Sequence, residues 1–295
     1  MSAMKSMSEK PLEIRFARTL EEAGVLLGLG HCPVECSFGE HSVVDELRMD
    51  HHGEWSGLAG VALRAYRDHW GARASDPRFV VTGAADADAT FAIAALAGLV
   101  PQPGPGARDL LPLATLINQA DLSPIGLRLA EHAEGSTLLL FRQLRSAGQD
   151  ALSFYAGVEH WRMLCGPSPP RSLLQAAGAE EAQRVTAARA ARVERMSDEV
   201  ALVSSPVWGF DVWYAEVRPV IVAYVAEAAR VTVGCRDADT AERLFGPGGL
   251  KNVFPLLQPV GWGGRETVGG SPRDARLGLE EARAAAEQIA RCVRG

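Results

Sequence analysis

The chain has 295 residues, of which 47% are hydrophobic and 22% charged, with a net charge of −6 at neutral pH. That balance excludes a disordered polymer, suits two domains, and provides a core large enough to keep water from a site. The acidic balance excludes broad electrostatic capture of long nucleic acid, which needs a basic face to displace counterions, but it leaves room for a local basic pocket.

The five cysteines are odd in number and scattered, so no disulfide framework is implied. Cys32 and Cys36 form a C-x3-C pair beside His31, but no second ligand pair follows, so ordinary buried thiols are expected. The opening MSAMKSMSEK lacks the apolar core of a signal peptide, and no apolar run approaches the ~20 residues of a membrane span. A cytoplasmic protein without membrane partners is the expectation.

In chain order, LEIRFA (12–17) predicts a strand, and TLEEAGVLLGL (19–29) a helix capped by Thr19 with Glu22 three residues on. GHCPVECSFGEH reads as a loop, and SVVDELRMDHH as a short strand running into a site. LAGVALRAYRDHWG (58–71) has helical periodicity, RFVVTG (78–83) is a β-branched strand, and DADATFAIAALAGLV a helix that begins in acid. This alternation predicts an α/β domain with a mainly parallel sheet, whose functional loops gather at the strands' carboxyl ends. PQPGPGARD (101–109) is a breaker-rich loop, 110–165 is helical, GPSPPRS (166–172) is a turn, and 177–199 is a long solvated helix. Further on, ALVSSPVWG, DVWYAEV, VIVAYVAEA and RVTVGCR read as short β-rich segments, with helix possible in the third. TAERLFG and GLEEARAAAEQIARCV are helical. The expected divisions are 1–170, a helical connector over 171–200, and a smaller α+β domain over 201–295.

The most informative string is MDHHGEW (49–55). Adjacent Asp50, His51 and His52 pair a hard oxygen ligand with imidazoles, a combination that suits Mn2+, Fe2+, Co2+ or Zn2+. GAADADAT (83–90) adds Asp86 and Asp88 just after a strand, where the bland alternative is a helix cap. NQADLSPIG (118–126) adds Asp121 in a further loop, alternatively an Asx-turn. Carboxylates and imidazoles from separate loops are what a one- or two-metal phosphoryl site requires. The glycines of GWGGRETVGGSPR (261–273) can turn backbone N–H groups toward an anion, with Arg265, Arg273 and the Ser271 hydroxyl as added donors. Trp262 beside them could stack on a base, whereas core packing is expected of Trp208 and Trp213 and of His160; His69 and His132 are expected to face solvent.

At these residues the chain resembles the DHH/DHHA1 phosphoesterase superfamily. Asp50-His51-His52 is the triplet that names that family, and Asp86 to Asp88 is similar to its acidic metal-holding motif. GWGGRETVGGSPR looks like a variant of its Gly-rich substrate loop, with Gly263, Gly264, Gly269 and Gly270 as the backbone-permissive positions. Typical members carry the D-x-D motif before the triplet; here it follows, and the earlier position offers His31, Glu35 and His41 instead. The usual histidine of the Gly-rich loop is replaced by the two arginines.

The resemblance implies a parallel-sheet DHH-like domain followed by a DHHA1-like one, with the substrate in the cleft between them. It also implies one or two divalent ions, most suitably Mn2+, held by Asp50, His52, Asp86, Asp88 and Asp121, with His31 as a further ligand. His51 is expected as a ligand or nearby acid, making Asp50, His51 and His52 the catalytic set. The expected activity is hydrolysis of a small phosphorylated compound, such as a nucleotide or short oligonucleotide, in a chain that could be a homodimer. The alternatives are a pyrophosphatase and a non-catalytic nucleotide-binding or sensing protein with a degenerate site.

Overall fold

The computed structural model describes residues 10–39, 41–122, 127–145, 148–272 and 275–294. It is a mixed α/β protein, and its described residues fall into two compact units that divide between Gly178 and Ala179, the second also taking in residues 127–128. No helix among the described residues is long and apolar enough to cross a membrane.

The first unit opens with strand β1 (Glu13–Phe16) and helix α1 (Leu20–Gly28). Thr19 accepts from the Glu22 N–H, and the Glu22 carboxylate accepts from the Arg18 N–H, so the predicted cap forms. Inside the supposed GHCPVECSFGEH loop lies a fully buried strand, β2 (Cys32–Val34), followed by the small hairpin of β3 (Ser37–Phe38) and β4 (His41–Ser42). Strand β2 was hidden because three residues are too few for a period-2 signal. Pro33 also argues against a strand, and is tolerated because β2 is an edge.

After helix α2 (Val61–His69), strand β5 (Arg78–Val81) enters between β1 and β2 and pairs with both in parallel. Residues 43–50, expected as a strand, are instead turn and coil, with Arg48 at a left-handed φ of 51°. Four helices complete the unit: α3 (Ala87–Leu96), α4 (Leu111–Leu122), α5 (Gly135–Leu144) and α6 (Ala151–Cys165). Helix α3 is buried from Asp88 to Leu96, as its alanine-rich, all-round apolar sequence requires. Trp161 of α6 stacks on Phe141 at 4.0 Å, meets Phe91 edge-on at 5.3 Å, and donates its Nε1–H to the Thr90 hydroxyl at 3.0 Å. His160 packs edge-on against Phe141, the expected packing role, while His132 is exposed and His69 half-buried. Cys32 and Cys36 are buried free thiols.

Helix α7 (Arg171–Arg189) begins earlier and stops sooner than the predicted 177–199. Residues 192–195, read as its continuation, form strand β6 (Arg192–Arg195), paired antiparallel with β7 (Val200–Ser205). Helix α8 (Phe210–Glu216) then crosses to β8 (Val220–Val225), which runs parallel to β7. DVWYAEV, expected as β, is therefore a helix. Its aromatic composition favours a strand locally, but a parallel pair needs a crossover, and Phe210, Val212, Trp213 and Tyr214 cover one sheet face as they make it.

Strand β9 (Arg230–Cys235), helix α9 (Ala238–Phe245), strands β10 (Gly263–Gly264) and β11 (Val268–Gly270), and helix α10 (Leu279–Cys292) follow. The six-stranded order is β10-β11-β9-β8-β7-β6. Alternate residues of β7 and β8 serve opposite cores: Val200, Leu202, Val220 and Val222 face the α9/α10 side, and Ala201, Val203, Ile221 and Ala223 the α8 side. Trp262, expected near a base, is buried in the α9/α10 core, and Trp208, expected there, is 38% exposed.

The Gly-rich string is thus a β-hairpin on the sheet edge, and packing requires glycine at both Gly264, where a Cβ would lie 2.2 Å from the Val268 carbonyl oxygen, and Gly269. A Cβ on Gly269 would lie 2.2 Å from Phe254 Cζ and 2.7 Å from the Gly263 carbonyl, whereas one on Gly263 meets nothing within 4 Å. Gly269→Ala should therefore lower stability by about 1–3 kcal/mol through overpacking, and Gly263→Ala should leave it within about 0.5 kcal/mol. Urea denaturation midpoints check both; equal midpoints would mean the hairpin yields without cost.

Candidate metal centre

The carboxyl ends of β2 and β5 both deliver acid, as the crevice rule for parallel sheets leads one to expect. Glu35 follows Val34 directly, and Asp86 and Asp88 follow Val81 by way of residues 82–85. Glu35 sits at a left-handed φ of 46°, and its N–H donates to the Met49 carbonyl at 2.8 Å, tying it to the segment that carries the histidines. A non-glycine residue in this region stores about 1–3 kcal/mol of strain, a feature that clusters at functional sites.

Arg64, buried on α2, holds that segment from the other side. Its Nε donates to Ala59 O, its Nη1 to Arg48 O and its Nη2 to Asp50 O, each at 2.8 Å. One guanidinium thus satisfies three carbonyls of chain that has no ladder of its own. The backbone at Asp50, His51 and His52 is fixed by this side chain rather than by a strand.

His51 is buried, and its Nε2 faces three carboxylates: Glu35 Oε1 at 2.8 Å, Asp121 Oδ2 at 3.3 Å and Asp88 Oδ2 at 3.6 Å. Two groups of donor atoms, Glu35–His51–His52 and His51–Asp88–Asp121, each lie within 4.8 Å of one another and share His51. Asp86 borders them. Burial drives the Glu35 carboxyl well above its usual range, and the neighbouring Asp86, Asp88 and Asp121 push it the same way. Burial also raises Asp86 to about 6, and Asp88 upward as well, despite the N–H groups that favour their charged forms. Three carboxylates around one imidazole, with Asp86 beside them, are an electrostatic deficit that a divalent cation removes. Mixed carboxylate and imidazole donors suit first-row ions such as Mn2+, so the donor set fits a metal.

Two of these acids also cap helices. Asp86 is the N-cap of α3 and accepts from Ala89 N at 3.0 Å. Asp88 caps the neighbouring α2, taking Val61 N at 2.7 Å and Ala62 N at 3.0 Å, while Asn118 accepts from Gly60 N at 2.6 Å. Asp121, expected in a loop, is on the last turn of α4, where a carboxylate opposes the helix dipole.

Asp50 stands behind the cluster and belongs to neither group. It is fully buried, and its Oδ1 accepts the His52 backbone N–H at 2.9 Å and its Nδ1–H at 2.8 Å. Burial raises the Asp50 pKa, yet the hydrogen bonds from the His52 side chain and backbone outweigh this and hold it below the usual range. The same bond raises the pKa of His52. With Nδ1 engaged by a group that can only accept, Nε2 of His52 is the atom left for the cluster.

Other expected residues lie elsewhere. His31 is buried with Nδ1 3.1 Å from Leu26 O and Nε2 3.6 Å from Glu13, and His41 is exposed on β4; neither joins the two donor groups. The structure instead brings in Glu35. In sequence it stood out only as one of three residues, with His31 and His41, at the place where the acidic motif is expected, after an apolar triplet too short to read as a strand. In the second unit, Gly263, Gly264 and Arg265 are exposed, Gly269 is buried and Gly270 half-buried. The buried Ser271 hydroxyl accepts from Val231 N, and Arg273 lies outside the described residues.

Comparison of this chain with protein-family models, curated proteins and solved structures finds no match.

The double duty of Asp88 separates it from Asp121. In metal-free protein, Asp88→Ala should cost about 1–2 kcal/mol, because two N–H groups of α2 lose their acceptor. Asp121→Asn, which removes a like charge and no cap, should leave the protein at least as stable as the parent. Urea titrations in chelator check the order, and the reverse order would contradict the capping assignment.

Proposed function

We propose that this chain is a metal-dependent phosphoester hydrolase, most suited to Mn2+, that acts on a small phosphorylated substrate. The observation that carries the reading is the convergence of Glu35, Asp88 and Asp121 on His51 Nε2 within 3.6 Å, at the carboxyl ends of parallel strands. Oxygen donors dominate the set, and the site lies beside a half-exposed histidine, so a reacting molecule can reach it. The α/β first unit carrying Asp50-His51-His52 and the mixed-sheet second unit carrying a Gly-rich hairpin support a resemblance to DHH/DHHA1 phosphoesterases. Small substrates are favoured over long nucleic acid by the net charge of −6.

In this reading Glu35, His51, Asp88 and Asp121 hold the metal, with Asp86 and His52 at its border. A bound divalent ion would supply Lewis acidity and lower the pKa of water toward neutrality. His52 is held by Asp50 so that Nε2 can give or take a proton near the reacting group, and the bond to Asp50 stabilises its charged form. Asp50 is then a positioning residue rather than a ligand. Arg265, exposed at the turn of the β10–β11 hairpin, is an anion-binding group of the second unit.

The test is elemental analysis and thermal unfolding with added Mn2+, alongside a phosphodiesterase assay. At a hundredfold excess over Kd, Mn2+ should stabilise the parent by about 2.7 kcal/mol, and His51→Ala should lose that gain and the activity together. A parent that neither binds Mn2+ nor hydrolyses a phosphodiester overturns the reading.

Binding should also release protons, because the ligands Glu35 and Asp88, raised by burial, must ionise, and the ion's charge favours the ionised form of neighbouring Asp86, raised to about 6. Mn2+ affinity should therefore fall as pH drops from 7 through about 6 and be restored on return to neutrality; calorimetry across this range checks it.

A further inference from the structure

Among the described residues, Arg64 and Arg145 place guanidinium groups in the field of the acidic cluster. All three nitrogens of Arg64 donate to the carbonyls of Ala59, Arg48 and Asp50, so it has no fork to offer a ligand. Arg145 differs. Its backbone closes helix α5, its N–H donating to Phe141 O at 2.9 Å, and its half-buried side chain reaches the loop after β5. There, the contact among the described residues is Nη1 to Ala85 O at 3.5 Å, the outer limit of a hydrogen bond. The Ala85 N–H donates to Gly148 O at 3.2 Å, which holds the two loops together beside Asp86. Arginine carries five N–H donors in a planar fork, and among the described residues most of those of Arg145, which lies beside Asp86, are uncommitted.

We infer that Arg145 is the phosphate-gripping residue of the first unit, donating to non-bridging oxygens of a substrate phosphoryl group held against the acidic cluster. The inference rests on the proposed phosphoester chemistry and deepens it. A metal neutralises the carboxylates, after which a phosphate needs a second cation with directed donors, and Arg145 supplies it. Neutralising Asp86 alone would need only charge, not a fork, so Lys and Arg would serve equally in that role.

The experiment uses the full chain with MnCl2 and inorganic phosphate as probes. Mn2+ stoichiometry is read by elemental analysis, and phosphate affinity by calorimetry on the Mn2+-loaded protein, for parent, R145A and R145K. The expected result is parental Mn2+ binding in both variants, with phosphate binding weaker by about 10- to 100-fold in R145A. R145K should recover less than half of that loss on a logarithmic scale. Phosphate affinity within threefold of the parent in Mn2+-loaded R145A, or full recovery in R145K, overturns the inference while leaving the metal centre standing. A parent that binds Mn2+ but not phosphate does the same. A parent that binds no Mn2+ overturns the proposed function itself, and this inference with it. If R145A proves unstable, R145K decides the matter alone: unchanged phosphate affinity refutes the fork, and a loss of tenfold or more supports it.

Discussion

Like charges out of water repel, and the first unit is built to hold four of them together. Glu35, the Asp86–Asp88 pair and Asp121 come from three places in the chain, and each acid raises the energy of ionising another. Much of the local architecture reads as the means of tolerating this. Asp86 and Asp88 are each stabilised by helix N–H groups, His51 inserts a ring nitrogen among three carboxylates, and the strained backbone of Glu35 is tied to Met49. The raised pKa values of Glu35, Asp86 and Asp88 favour neutral forms, and the proposed divalent ion would let the acids ionise together. Structural capping accounts for two of the acids but not for Glu35 and Asp121 beside them.

The α/β alternation of the first unit was legible because β1, β5 and their helices are long enough to carry a period and are bounded by caps, as at Thr19. Asp50-His51-His52 and Asp86/Asp88 were legible as candidate metal donors because their residue types are unusual in such density, and the structure brings His51, His52 and Asp88 into the two donor groups. What escaped was set by distant partners. Strand β2 exists because β5 lies beside it, and residues 43–50 take their course from Arg64 and Glu35 rather than from a ladder. Asp121 rides on the end of a helix whose boundary the following breakers blurred. The choice of Glu35 over His31 follows from β2 alone: once that strand is drawn, the residue after it must emerge at the carboxyl edge.

The second unit teaches the complementary lesson about composition. A glycine-rich string suggests a loop around an anion, yet Gly269 is required where the sheet edge passes over Phe254, and Ser271 is engaged with Val231. Aromatic DVWYAEV looks like β and is a helix because its neighbours on both sides are parallel strands. In both cases local preference yielded to topology, which a single sequence encodes only diffusely.

The sharing of Asp88 between the cluster and the first turn of α2 bears on how such chains diverge. A descendant that abandoned the cluster would still need an acceptor for Val61 and Ala62, so selection for folding would keep an acid at this position. Asp121 has no comparable second employment and would drift freely once the chemistry was lost. Among relatives of this chain, persistence of Asp88 would therefore say little about activity, and the pairing of Asp121 with Glu35 would be the informative signature.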